Sequence, residues 1–344
     1  ITCCNFDFTA MTAGALTFPG GAIAGYNNGA WCASPSRVRG WVTKNTVVAN
    51  QTSALGSEGI GFSSMSHLWV QDNYVYGFGD DPIALHNVTD FVVSGNRAYS
   101  RDGRYFFSSP RRGKIFDNYN ERIANPDTTW TSGGGMMEFS IETSTGAAPA
   151  DCDVHDNTFV HGSGITSATY GIRLRGVRRF QVHHNKVHDT SGYGYAITWE
   201  GQSVAGWTDS EGIEVDDKAR VRDLDVYDNT VTGTGADGRI GELSVFAGHA
   251  VGPIRARGNQ PGAGLSTLYT PSAYQTNPTL SGGMLPKYTT GLYYAPPDYG
   301  ITTGTPGSGV MIAQPILIDE ACTLAAMAVR VTTTAGAGGV ARFG

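Results

Sequence analysis

The chain has 344 residues, with 30 Asp and Glu against 24 Lys and Arg and a formal net charge of −6. That balance offers no basic field for nucleic acid, and the sequence holds neither an apolar run of transmembrane length nor a signal-peptide pattern, so membrane insertion is not expected. With 47 glycines, 16% charged residues and few helix-like apolar stripes, it suits strands joined by many turns rather than a helical protein.

Residues 1–34 are small, apolar and glycine-rich and read as a lead-in or an incomplete first coil. From about Pro35 a phrase recurs: RGWVTKNTV, HLWVQDNYV, DFVVSGNRA, RGKIFDNYN, DCDVHDNTF, FQVHHNKVHD, DLDVYDNTV and, more weakly, PIRARGNQP. Its asparagines are Asn45, Asn73, Asn96, Asn118, Asn157, Asn185, Asn229 and Asn259, spaced by 28, 23, 22, 39, 28, 44 and 30 residues. A shortest period near 22, with variable excess, indicates a solenoid with loops inserted into some turns.

Aligned on the asparagine, the columns three and five residues before it and two after it are mostly apolar, and the position between the first two is mostly polar. A strand with one buried face reads this way. The asparagine belongs at a bend, where its amide can bond neighbouring backbone or the asparagine of the next coil. Such a ladder needs stacked parallel strands. The expected fold is therefore all-β, a parallel β-helix solenoid over residues 35–259.

A second strand follows most bends: GIGF at 59–62, PIALH at 82–86, MMEFSIE at 136–142, GIRLR at 171–175, AITWE at 196–200 and GIEVD at 212–216. Ile60 with Phe62, Ile83 with Leu85, Ile172 with Leu174 and Ile197 with Trp199 are its expected inward pairs. Residues 260–287 are rich in Pro, Gly, Ser and Thr and read as a connector. New strands in residues 288–344 read as the first half of a separate β-sandwich module. The chain opens on Ile1 and closes on VARFG without a cap, as a piece of a longer polypeptide would. Its five cysteines (3, 4, 32, 152 and 322) are odd in number and not metal-spaced, so neither a disulfide framework nor zinc is implied. No cofactor is expected.

The asparagine columns, with N-T-V and N-K-V bends, resemble the right-handed parallel β-helix repeats of the pectate-lyase-like superfamily. The tail, GLYYAPPDYG and then LAAMAVRVTTTAGAGGVARFG, is similar to C-terminal modules of bacteriophage tail fibres and tailspikes and of gene-transfer-particle spikes. The resemblance implies a homotrimer on the surface of a virion, exposed to the extracellular medium and attached to other phage tail or particle proteins. It also implies recognition of host surface polysaccharide, capsule or lipopolysaccharide, with or without cleavage. A structural spacer in the fibre is the remaining reading.

Candidate site residues follow from the second strand. His86, Glu138, Glu142, Arg173, Arg175, Glu200 and Asp216 occupy its expected outward positions, with Ser140, Thr198 and Glu214. Carboxylates one or two coils apart would lie roughly 5–10 Å apart, a separation suited to glycoside hydrolysis by an acid and a base or nucleophile. Glu138, Glu200 and Asp216 are the catalytic candidates there, while Arg173 and Arg175 suit an acidic sugar carboxylate. The alternative is a charged exterior in which Arg and Glu pair across coils. Gly79-Asp80-Asp81 resembles the GDD element of polygalacturonase-like hydrolases, making Asp80 and Asp81 further candidates, although no N-T-D precedes it and Gly248-His249-Ala250 falls late. Asp residues in a turn equally serve to cap backbone groups. Tyr76 and Tyr99 share a column three residues after their asparagines, and Trp130 and Trp207 sit in the two longest inter-coil excesses. These four aromatics suit sugar binding or a chain–chain interface. His155 and His183, two residues before their asparagines, are expected to stack across the ladder rather than bind metal.

Overall fold

In a computed structural model the described residues are 1–8, 21–26, 39–49, 58–100, 104–123, 135–141, 147–161, 170–189, 195–203, 218–219, 221–233, 239–242, 254–261 and 278–281. The chain divides into two units, Ile1–Thr303 and Gly304–Gly344, and all of these residues belong to the first. The module expected over 288–344 thus lies outside the described residues.

Three parallel sheets make the solenoid. The first has eight strands, from Gly21–Tyr26 to Arg239–Glu242; the second has nine, from Gly40–Thr43 to Pro278–Ser281; the third has nine, from Asn5–Phe8 to Gln260–Pro261. One coil takes a strand from each in that order. Ile83–His86, Thr89–Ser94 and Arg97–Ser100 are one such set. Every neighbour in these sheets is the strand one coil away, as a right-handed parallel β-helix requires.

Two of the three turns in a coil rest on left-handed backbone. Between first and second sheets stand Ser64, Asn87, Ser109 and Gly176, with φ of 59°, 51°, 50° and 59°. Between second and third sheets the left-handed residue immediately precedes the ladder asparagine: Lys44, Asp72, Gly95, Asp117, Asp156, His184, Asp228 and Gly258. Asp and Gly dominate that column because Gly lacks a Cβ and Asp is among the residues that adopt positive φ most readily. The asparagine then bonds the next coil twice. The Asn73 amide group donates to Asn96 Oδ1 at 2.9 Å, and its backbone N–H reaches the same oxygen at 3.0 Å. The pattern runs unbroken from Asn45 to Asn259, with every ladder asparagine buried. Asn118 bonds Asn157 and Asn185 bonds Asn229 directly, so the 39- and 44-residue intervals each hold one coil plus an excursion. The excursion within the longer interval carries a small antiparallel pair, Gln202–Ser203 with Lys218–Ala219.

The core is the stack of inward columns. Ile60, Ile83, Leu85, Ile172, Leu174, Ile197 and Trp199 are fully buried and Phe62 nearly so, as the alternation predicts. A strand that the motif reading passed over, Tyr105–Ser108, supplies Tyr105 and Phe107, and Phe107 stacks on Phe139 at 5.0 Å. Gly113 occupies an inward column because the ring of Phe91 fills the place its Cβ would take. Of the two readings of residues 1–34, the strands there fit the first coil, and at the other end the coils pass the expected limit at 259. Asn5–Phe8 and Gly21–Tyr26 pair in parallel with the next coil, and Pro278–Ser281, within the stretch read as connector, pairs with Ile254–Arg257.

Candidate functional site

The outward residues of the first sheet form a band of charged and polar side chains across six coils, from Glu58 to Glu200. Register places Phe106 against Glu138, Glu138 against Arg173, and Arg175 against Glu200. Arg104, just before Tyr105, bridges Asp81 (Nε to Oδ1, 3.2 Å) and Glu138 (2.9 Å), with its guanidinium 4.3 Å from the Phe106 ring centre. Arg173 lies 2.6 Å from Glu200 and over the Tyr170 ring. Arg175 spans Glu138 at 3.4 Å and Glu200 at 3.1 Å. At the other end His86 lies 3.4 Å from Glu58 and edge-on to Phe106.

The band was expected to be an open exterior, and burial corrects this. Glu138 is 2% exposed, Glu200 0%, Asp81 4% and His86 4%, with Ser140 and Thr198 equally covered. The polar groups that reach solvent are the guanidinium side chains, at 24%, 13% and 22% for Arg104, Arg173 and Arg175. Carboxylates cannot be buried alone without a large desolvation cost, and here each faces an arginine. The result is a carboxylate floor that orients an arginine crown.

Electrostatics differ along the floor. Burial pushes Asp81 well up, more than Arg104 holds it down, and Asp80 and Glu58 add to the rise. Glu200 is also raised, its burial outweighing Arg173 and Arg175. For Glu138 burial acts upward too, but Arg104, Arg173 and Arg175 together outweigh it and hold the carboxyl below its ordinary range. Neighbouring carboxyls shifted in opposite directions are the division that acid–base chemistry uses. Glu200 Oε2 has no hydrogen-bond partner among the described residues.

The remaining predicted residues fall elsewhere. Asp80 is partly buried beside Asp81, and its contribution to the rise of Asp81 marks the pair as electrostatically linked. Tyr76 and Tyr99 are opposite each other on the outer face of the third sheet, with rings 6.3 Å apart. Glu142, Asp216, Trp130 and Trp207 lie outside the described residues, as do Glu214 and Gly248-His249-Ala250. The strand that follows Tyr195–Glu200 in the first sheet is Arg239–Glu242, not the GIEVD segment.

The histidine column stacks as its register predicts. On the second sheet Phe116 and His155 are 5.1 Å apart and parallel within 1°, His155 and His183 5.0 Å within 7°, and His183 and Tyr227 4.6 Å within 11°. Arg257 caps Tyr227 at 4.5 Å, and Asp153 bonds His183 at 2.9 Å. Among the described residues no group of three or more His, Cys, Asp or Glu side chains is placed to hold a metal ion, and no helix is long and apolar enough to cross a membrane.

Arg104, Phe106, Glu58 and Tyr170 were not singled out from sequence. The run of three aromatics at Tyr105, Phe106 and Phe107, a composition favoured in strands, was the available signal for a further first-sheet strand, and Arg104 stands at that strand's entry.

Comparison with known families agrees with this architecture. A family model described as a right handed beta helix region matches residues 42–206, the stretch that carries the asparagine ladder from Asn45 to Asn185 and most of the charged band. Searches of curated proteins and of solved structures returned no match.

Proposed function

We propose that this right-handed parallel β-helix is a receptor-binding segment of a phage tail fibre or spike, and that it holds host surface polysaccharide rather than cutting it. The observation that carries the reading is the state of the carboxylates. Glu138 and Glu200 are buried and engaged by arginine, whereas an acid and a base acting on a glycosidic bond must reach the substrate oxygen and a water. What the band offers to a ligand is the exposed part of three guanidiniums, which suits an acidic glycan. The family match supports the β-helix, and the tail resemblance is what suggests the broader setting: a homotrimer on a virion, carried by other particle proteins, whose three sites would act together because each sugar contact is weak.

One observation favours a depolymerase as the second reading. Asp81 is displaced upward and Glu138 downward, across a single bridging arginine. The two readings separate in one experiment. Capsule and lipopolysaccharide from candidate hosts are incubated with the protein, then assayed for retention on immobilised protein, for new reducing ends and for the ultraviolet absorbance of unsaturated uronates. Binding expects retention without either product, and loss of retention in Arg173→Gln and Arg175→Gln. New reducing ends that vanish in Glu138→Gln would establish the depolymerase instead.

A further inference from the structure

The outer face of the third sheet carries a feature that the charged band does not explain. Tyr74 and Tyr76 are 38% and 39% exposed, among the few large apolar side chains so open in the described residues. Register sets Tyr74, Arg97 and Tyr119 in one column across three coils, and Tyr76, Tyr99 and Glu121 in the next. Tyr99 sits in the middle, with ring centres 5.7 Å from Tyr74, 6.3 Å from Tyr76 and 5.6 Å from Tyr119.

Ring orientation separates these tyrosines from the other aromatic columns. Along Phe116, His155, His183 and Tyr227 the rings are parallel within 11°, so each covers its neighbour's face. Trp41 and Trp69 are likewise parallel, within 7°, although Trp41 itself is 51% exposed. The tyrosines are tilted by 43–48°, so they do not cover one another face to face; Tyr74 and Tyr76 are exposed, and Tyr99 and Tyr119 are half-buried. Open ring faces are what the apolar side of a pyranose packs on.

We infer that the outer face of the third sheet around Tyr74, Tyr76, Tyr99 and Tyr119 is a second polysaccharide subsite, holding a glycan along the helix axis by ring stacking. Three features select a glycan as the occupant. The coil rise of about 4.8 Å is close to the length of one sugar residue, so successive coils present rings at the repeat of an extended chain. Arg97 and Glu121 interrupt the tyrosines within one coil step, whereas the centre of a protein interface is depleted of charge. A sugar, with an apolar ring face edged by hydroxyls, matches that mixture. The subsite takes neutral sugars, because stacking needs a ring face and no charge. This inference rests on the glycan-binding reading and adds to it a contact independent of the arginine crown.

The test uses the whole chain and a glycan retained in the experiment above, before and after chemical reduction of its carboxyl groups to alcohols. Tyr74→Ala and Tyr76→Ala are suitable because both side chains are exposed and outside the core. Each is expected to weaken binding roughly two- to tenfold, equally for native and carboxyl-reduced glycan. Tyr76→Leu, which keeps apolar area without a flat ring, should lose as much. Arg175→Gln should weaken binding of the native form only. Unchanged affinity in all three tyrosine variants overturns the subsite while leaving the glycan reading intact. So does a result in which they change only self-association by sedimentation, which would make the face an interface between copies. If the wild-type chain retains no glycan, both readings fall.

Discussion

Asn157 stands in the middle of the ladder, and its removal has consequences that can be counted. Its Oδ1 accepts the backbone N–H of Asn118 at 3.1 Å and the side-chain amide of Asn118 at 2.9 Å. Its own amide group donates to Asn185 Oδ1, Ile115 O and His155 O, each at 2.9 Å. Asn157→Ala removes all of these bonds in a fully buried site. The Asn118 backbone N–H loses its acceptor, while the Asn118 side-chain amide keeps Val93 O and Phe116 O and Asn185 Oδ1 keeps the backbone N–H of residue 157. A buried polar group without a partner costs about 1–3 kcal/mol, and water entering the gap offsets part of it, so a loss of about 3–5 kcal/mol is expected. In a solenoid the damage should be local. Hydrogen exchange should therefore show lost protection at the Asn118 amide, while amides near Asn45 and Asn259 keep theirs. Chemical denaturation gives the total. Asn157→Asp refines the reasoning: the acceptor survives, but an ionised carboxylate faces Asn185 Oδ1 and cannot donate. Its folded-state pKa should rise, so the variant recovers stability as pH falls toward 4 and loses it as pH rises through that raised value. A loss under about 1 kcal/mol for Asn157→Ala, with Asn118 still protected, would refute the view that the ladder holds adjacent coils together.

Three further outcomes follow from the structure. Gly113→Ala should destabilise by about 1–3 kcal/mol because its Cβ would overlap the Phe91 ring, and Phe91→Leu in the same chain should restore most of the loss, measured by thermal unfolding. Asp81 has a raised folded-state pKa, so its contribution to stability is fully present below its unfolded value and is lost as pH rises through the folded one. Asp81→Asn should thus match wild type near pH 4 and gain in relative stability as pH increases, which a series of melting curves would reveal. Arg112 holds Asp90 through two bonds, at 2.7 and 2.8 Å, but both side chains are substantially exposed. Asp90→Ala should cost no more than about 1 kcal/mol, and the small loss should shrink further in high salt.

The charged band shows where reading residues in a line stops being sufficient. Glu138, Arg173, Arg175 and Glu200 were recognisable as outward residues of neighbouring coils, because alternation along a strand is a local property. Their burial was not recognisable, and neither was Arg104, which follows Glu138 in no sequence pattern and meets it only because 34 residues of chain return it to the adjacent coil. The tyrosines divide in the same way. The shared column of Tyr76 and Tyr99 could be counted from their asparagines, but the 43° tilt between their rings depends on packing against Tyr74 and Tyr119.

The amino-acid sequence by itself determined the repeat, the parallel stacking and the inward columns, because each depends on spacing within a coil and on chemistry that recurs at every asparagine. Tertiary structure alone decided that the two longest intervals add excursions rather than coils, that strands continue to Ser281, and that the carboxylates lie beneath arginines. Those outcomes depend on which coils meet and on what covers a side chain once they do. The balance of burial against neighbouring charge, which raises Asp81 because burial prevails and lowers Glu138 because Arg104, Arg173 and Arg175 together outweigh it, exists only after that meeting has occurred.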